Sequence, residues 1–176
     1  MLASAEELNF KLVLSGTYWR NKPPEFEILF DNQLVLAASI TKPSSSKGIV
    51  LLDDNAIEHT QEYQTTTLET FEFSRTVEPG NHVLGIRLKN KADGDTRGFV
   101  PDGWTRDLLL HVEKITINDV DLHNLIFSES KYVLDQLQTI NGNSTDHLTN
   151  CVSLGFNGVY QLPLSSPFYI WLLERL

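Results

Sequence analysis

Apolar and polar positions alternate along most of this chain with a period of two, the spacing of a strand with one buried face. Phe10, Leu12 and Leu14 alternate with Lys11, Val13 and Ser15. Phe26, Ile28 and Phe30 alternate with Glu27 and Leu29, Asp31-Asn32-Gln33 turns the chain, and Leu34–Ile40 returns. Apolar runs on either side of an Asx turn predict a β-hairpin. A second hairpin is predicted from Glu69–Val77, which carries Phe71 and Phe73, and His82–Lys89, which carries Val83, Leu84, Ile86 and Leu88. Between them Pro79-Gly80 supplies a fixed φ and then a residue free to take φ > 0. Asp107–Ile117 is a further long strand, with Leu108, Leu110, Val112, Ile115 and Ile117, and Asn118-Asp119 turns it into Leu122. Strands are therefore expected at 9–15, 26–31, 34–40, 69–77, 82–89 and 107–117.

The intervals read as loops: 17–24 with Pro23-Pro24, 42–48 rich in Pro and Ser, 89–105 polar with glycines, and 136–150 around Asn141-Gly142-Asn143. No regular helix separates the strands, as a parallel sheet would require. The fold class predicted is all-β, an antiparallel, jelly-roll-like sandwich. It is a single domain in two parts: a module over 1–123, and an extension over 124–176 that packs on the sandwich or on a neighbouring subunit.

The chain end breaks the alternation. Ser166–Leu176 is apolar on every side and matches both a short helix opened by Ser166-Pro167 and a strand buried on two faces. The β character of the remainder favours the strand. One face cannot bury Phe168 through Leu173, so Phe168, Tyr169, Trp171 and Leu173 are expected to mediate assembly.

Composition sharpens this picture. With 176 residues, 41% hydrophobic and 21% charged, the chain can bury a core. A net charge of -9 without a basic cluster argues against nucleic acid and against an anionic membrane surface. The single Cys151 excludes an internal disulfide and is expected as a small buried apolar residue. The first residues lack a signal-peptide pattern and no apolar run reaches membrane length, so synthesis in a cytoplasm is expected.

Candidate chemistry concentrates near the 89–105 interval. Asp93, Asp95, Asp102 and Asp107 bring oxygen ligands of the kind calcium takes into and beside one Gly-containing loop. The stretch departs from an EF-hand at Arg97 and at Trp104, where a bidentate Glu would be needed. Trp104, Trp19 and Phe99 fall in predicted loops and offer flat rings for a sugar face. His82 and His111 lack partners at metal-ligand spacing. Glu25 and Glu27 share a strand face, which is ordinarily solvent-exposed and not an acid pair. No nucleophile elbow or phosphate loop is present, so no catalysis is expected.

Ile86-Arg87-Leu88-Lys89-Asn90-Lys91, followed by a loop and then Arg106-Asp107-Leu108-Leu109-Leu110-His111-Val112-Glu113-Lys114-Ile115-Thr116-Ile117, resembles the calcium-dependent, xylan-binding type of carbohydrate-binding module. Phe10–Gly16 and Pro24–Gln33 are similar to the first two strands of that family. The resemblance implies a β-sandwich, a calcium cofactor and a polysaccharide ligand. It departs where the family has Asp and Asn, at Thr105 and Asp107, and its calcium loop is spaced differently. The whole layout, a sandwich with an apolar tail, resembles small proteins of tailed-bacteriophage particles. That implies a virion accessory or decoration protein, made in the host cytoplasm, whose partners are other virion proteins, further copies of itself in a homo-oligomer, or a surface polysaccharide. The alternatives are a free-standing calcium-dependent polysaccharide-binding module and a glycan hydrolase.

Overall fold

The computed structural model describes residues 4–18, 22–42, 64–99 and 103–176. It is an all-β sandwich of two antiparallel sheets. The strands are β1 (Glu6–Tyr18), β2 (Glu25–Phe30), β3 (Gln33–Ser39), β4 (Gln64–Thr65), β5 (Glu69–Val77), β6 (Gly80–Leu88), β7 (Arg97–Phe99), β8 (Gly103–Arg106), β9 (Leu109–Ile117), β10 (Val120–Asp121), β11 (Lys131–Ile140), β12 (Asn143–Thr149), β13 (Ser153–Leu154) and β14 (Gly158–Ser166). Helix among the described residues is confined to α1 (Leu125–Ser128) and α2 (Phe168–Leu173).

The first sheet runs β10-β9-β1-β4, with β5 also paired to β1 and β13 to β9. The second runs β12-β11-β14-β6-β2-β3, and β7 and β8 form a separate small hairpin. The second hairpin expected from the sequence does not form: β5 pairs with β1 in the first sheet and β6 with β14 and β2 in the second, so the Pro79-Gly80 turn carries the chain from one sheet to the other. The alternation explains the core. Leu8, Phe10, Leu12 and Leu14 of β1 point inward and meet Phe26, Ile28, Leu84, Ile86, Tyr160 and Leu162 from the second sheet. The apolar positions of β9 skip from Val112 to Ile115, which would put one of them outside in a regular strand. A register shift between Val13 and Leu14 in the β1–β9 pairing absorbs the extra residue, and both Val112 and Ile115 are buried.

Two of the expected loops differ, and a third is not described. The polar interval 136–150 is a hairpin, β11–β12, turning at Asn141 (φ 52°) and Gly142 (φ 80°). Both positions need φ > 0, which Asn and Gly adopt most readily. Within 89–105 the chain forms β7 and β8. Residues 42–48 lie, apart from Lys42, outside the described residues. Cys151, expected as a buried residue, is half-buried in a loop before β13. Residues 124–176 supply β11 and β14 to the middle of the second sheet, so this part of the chain completes the sandwich.

The chain end is a helix, not the expected strand. In α2 the positions 168, 171 and 172 share one stripe, as i, i+3 and i+4 must. Phe168 (0% exposed) and Trp171 (2%) are buried with Leu172, while Leu173 is 72% exposed and Tyr169 and Ile170 also face outward. The assembly role expected for Phe168 and Trp171 is therefore corrected: both rings belong to the core of their own domain. The Phe168 amide donates to Glu6 Oε1 at 2.7 Å, and the Arg175 guanidinium lies 4.7 Å from the Trp171 ring centre while bonding Glu129. The helix thereby plugs the core at the start of β1.

Candidate functional site

An open cleft of about 1230 Å³ lies beside β11, bounded by the 91–96 loop, the β11–β12 hairpin and the 153–157 loop. Its frame is built by side-chain amides that imitate a β-ladder. Asn157 Oδ1 accepts from the Lys91 amide and its Nδ2 donates to the Lys91 carbonyl, both at 2.8 Å. Asn90 does the same on the other side, accepting from Glu25 N at 2.9 Å and donating to Pro23 O at 2.8 Å. The stretch following β6 is thus held between β2 and the 153–157 loop.

The 153–157 loop is fixed in turn. The Tyr132 hydroxyl accepts from Phe156 N at 3.1 Å and donates to the Phe156 carbonyl. Burial pushes the Tyr132 phenol far above its ordinary value, so it keeps the proton that the second bond uses. Gly158 permits the close approach: a Cβ there would lie 2.4 Å from Val133 O. Phe156 is left half-buried, lining the cleft.

The far half of β11 forms the other wall. Val133 pairs with His147 but Gln138 already pairs with Thr145, so β11 bulges between them. Such a bulge re-aims side chains and ends regular pairing. Gln136, Gln138, Thr139 and Asn141 line the cleft here, with apolar contributions from Ile140, Leu148 and Leu109.

Of the expected metal ligands, Asp93 and Asp107 line the cleft and Asp95 lies behind it; Asp102 is outside the described residues. Among the described residues, these carboxylates do not fit a calcium ion. Asp107 Oδ1 is paired with the Lys91 ammonium and accepts from Thr96 Oγ1 at 2.7 Å; Lys91 also donates to Leu108 O at 3.0 Å. Asp95 Oδ2 is paired with Lys22 at 2.5 Å and accepts from Ala92 N at 2.8 Å. Asp93 is exposed. Calcium needs six to eight oxygens, and here two of the carboxylates already surround ammonium groups. Among the described residues no cluster of three His, Cys, Asp or Glu could hold a metal.

Of the expected sugar platforms, Trp19 is outside the described residues, and Phe99 and Trp104 are placed as backbone only, on β7 and β8. The residues that sequence reasoning missed are Phe156, Asn157, Gln136 and Gln138. A signal for the last two was present, since Gln136-x-Gln138-x-Ile140 followed by Asn-Gly is a strand entering a hairpin turn.

Other reactive groups are quiet. Burial pushes the Cys151 thiol up, away from the thiolate that a nucleophile needs. His111 Nδ1 lies 3.0 Å from Ser153 Oγ, with burial pushing its pKa down. The cleft carboxylate Asp135 is gripped by Arg87 through both oxygens at 3.0 Å. Two of the three cleft carboxylates are thus committed to ion pairs.

No family model and no curated protein matches this chain. Among solved structures it is similar to vCBM60 in complex with galactobiose, with 11% identity and a TM-score of 0.48 over 88% of this chain and 96% of that one. It is also similar to the selenomethionine form of vCBM60, described with a circular permutation linking two families of calcium-dependent carbohydrate binding modules. There the identity is 12% and the TM-score 0.49, over 88% of this chain and 89% of that one. At such identities no residue role transfers, and the chemistry of the cleft stands on its own side chains.

Proposed function

We infer that the chain is a non-catalytic carbohydrate-binding domain, and that the cleft beside β11 takes a segment of a neutral polysaccharide. One observation carries this reading: the cleft combines amide and hydroxyl side chains with the aromatic Phe156, whose backbone is held by Tyr132. Side-chain amides both donate and accept, as sugar hydroxyls do. Phe156 supplies an apolar face for the C–H side of a pyranose. An open cleft suits a chain better than a small enclosed ligand.

The test is calorimetry of the full chain with soluble xylan and with galactobiose as probes, followed by Gln138→Ala and Phe156→Ala. Each variant is expected to weaken binding by about tenfold or more. If neither probe nor a wider panel of neutral glycans binds, the reading fails.

For the particle setting expected from the sequence, the outward Tyr169, Ile170, Leu173 and Leu176 at the chain end offer an exposed apolar face. In that setting the domain decorates a virion through this face, bound to another virion protein or a second copy. Sedimentation of the full chain tests self-association: a concentration-independent monomer would remove the homo-oligomer.

A further inference from the structure

We propose that the Lys91–Asp107 ion pair does in this cleft what a bound divalent cation would do, so that ligand hydroxyls are engaged without metal. This rests on the carbohydrate reading and deepens it. The pair is nearly enclosed, with side-chain exposures of 11% for Lys91 and 16% for Asp107, and both residues line the cleft. An ammonium has three donors. Lys91 directs one to Asp107 and one to Leu108 O, and the third has no other partner among the described residues. Asp107 receives Lys91 and Thr96 on the same oxygen, Oδ1, which leaves Oδ2 as an acceptor. A free N–H beside a free carboxylate oxygen matches two adjacent hydroxyls, one accepting and one donating.

The pair is also held in place. Asn157 fixes the Lys91 backbone from both its amide and its carbonyl, and the Asp107 carbonyl accepts from Thr17 Oγ1 at 3.2 Å. Lys22 makes the equivalent neutralising contact with Asp95 at the back of the loop. The carboxylates that would otherwise repel one another are balanced by the chain's own cations. A calcium ion would have to displace an ammonium that is already hydrogen-bonded and desolvated, and this opposes its binding.

Two measurements on the full chain test this separately. The first is thermal melting in excess EDTA and in excess calcium chloride. Wild type should melt at the same temperature in both, while Lys91→Ala and Lys91→Met, which uncover Asp107, should gain about 2 °C or more with calcium. A calcium-induced rise in the wild type overturns the proposal, and so does no rise in either variant. The second is calorimetry with soluble xylan and galactobiose in the same two buffers. Coinciding wild-type isotherms, with about tenfold weaker binding for Lys91→Met, support it. Binding abolished by EDTA overturns it. If no probe binds in either buffer, the carbohydrate reading fails, and the melting arm alone still decides whether the lysine stands where a cation would.

Discussion

The two edges of the second sheet are hairpins with the same turn and opposite contents. At one edge β2 and β3 meet at Asp31 and Asn32, with φ of 50° and 62°. At the other, β11 and β12 meet at Asn141 and Gly142, with φ of 52° and 80°. The first hairpin lies over the core: Phe26, Ile28 and Phe30 are all buried. The second runs past it. Tyr132 and Leu134 are buried, but no residue from Asp135 to Ile140 is. Identical turn chemistry therefore says nothing about what a hairpin is for. The difference lies in the strand that enters the turn, apolar in β2 where the partner sheet covers it and carrying Gln136 and Gln138 in β11 where it walls a cleft.

The sharpest way to break that contrast is a matched pair of substitutions. Phe26→Ala empties a fully buried site against Phe71 and is expected to cost about 3–5 kcal/mol in chemical denaturation. Gln138→Ala, at the other edge, is expected to change stability by less than about 0.5 kcal/mol. A comparable loss at both sites would mean that the far half of β11 is structural and the division is wrong.

A smaller effect is expected where the two regions join. Gly158 begins β14 and lets the 153–157 loop lie against β11. Gly158→Ala places a Cβ against the Val133 carbonyl and the Tyr132 ring, so strand or loop must shift, at about 1–3 kcal/mol. Ligand binding should fall with it, because Phe156 moves with the loop. Full stability in this variant would show that the approach is looser than its geometry.

What could be read from the sequence follows the same division. The β2–β3 hairpin and the separate strands β5, β6 and β9 announce themselves because burial on one face imposes apolar alternation, while the pairing of β5 and β6 was not legible from their turn. Residues 136–150 did not, because a strand whose side chains meet solvent or ligand has no apolar period to display. The clearest cue there was Asn141-Gly142, which marks a turn whatever its flanks contain. The chain end misled for another reason: Phe168–Leu173 is apolar on all sides, so no period separates strand from helix, and only packing against Glu6 and Glu129 decides it. At the site, acidic residues and loop tryptophans drew attention because their chemistry is conspicuous. Nothing local to Asp107 reveals that Lys91 reaches it, since that contact depends on how the chain after β6 and before β9 meets in the fold.

The smallest expected effect, and the finest test of the contrast, is the response of two histidines to pH. His82 lies beside the β2–β3 turn, with Nδ1 2.7 Å from Asp31 and Nε2 2.8 Å from the Glu78 carbonyl. Burial opposes its charge, but Asp31 and Glu78 together outweigh that and raise its pKa above 6.5. The folded state then holds the proton more tightly than the unfolded chain. Its stabilisation is full below 6.5 and is lost as pH rises through the folded value. His111 stands by the cleft loop next to Ser153, and there burial outweighs Glu113 and Asp107 and lowers the pKa below 6.5. Its sign is reversed: its contribution is full above 6.5 and is lost as pH falls through the folded value. The two adjoining windows give a shallow stability maximum near the histidine midpoint, with each flank owned by one end of the molecule. The His82 flank is expected to be under about 1 kcal/mol, because a partly exposed ion pair is worth no more than that. Melting temperatures of wild type, His82→Gln and His111→Gln between about pH 5 and about pH 8 read this directly. His82→Gln should flatten only the alkaline flank and His111→Gln only the acid one. A His82→Gln curve that still declines above neutrality would assign the alkaline flank to another group and dissolve the pairing of ends with signs.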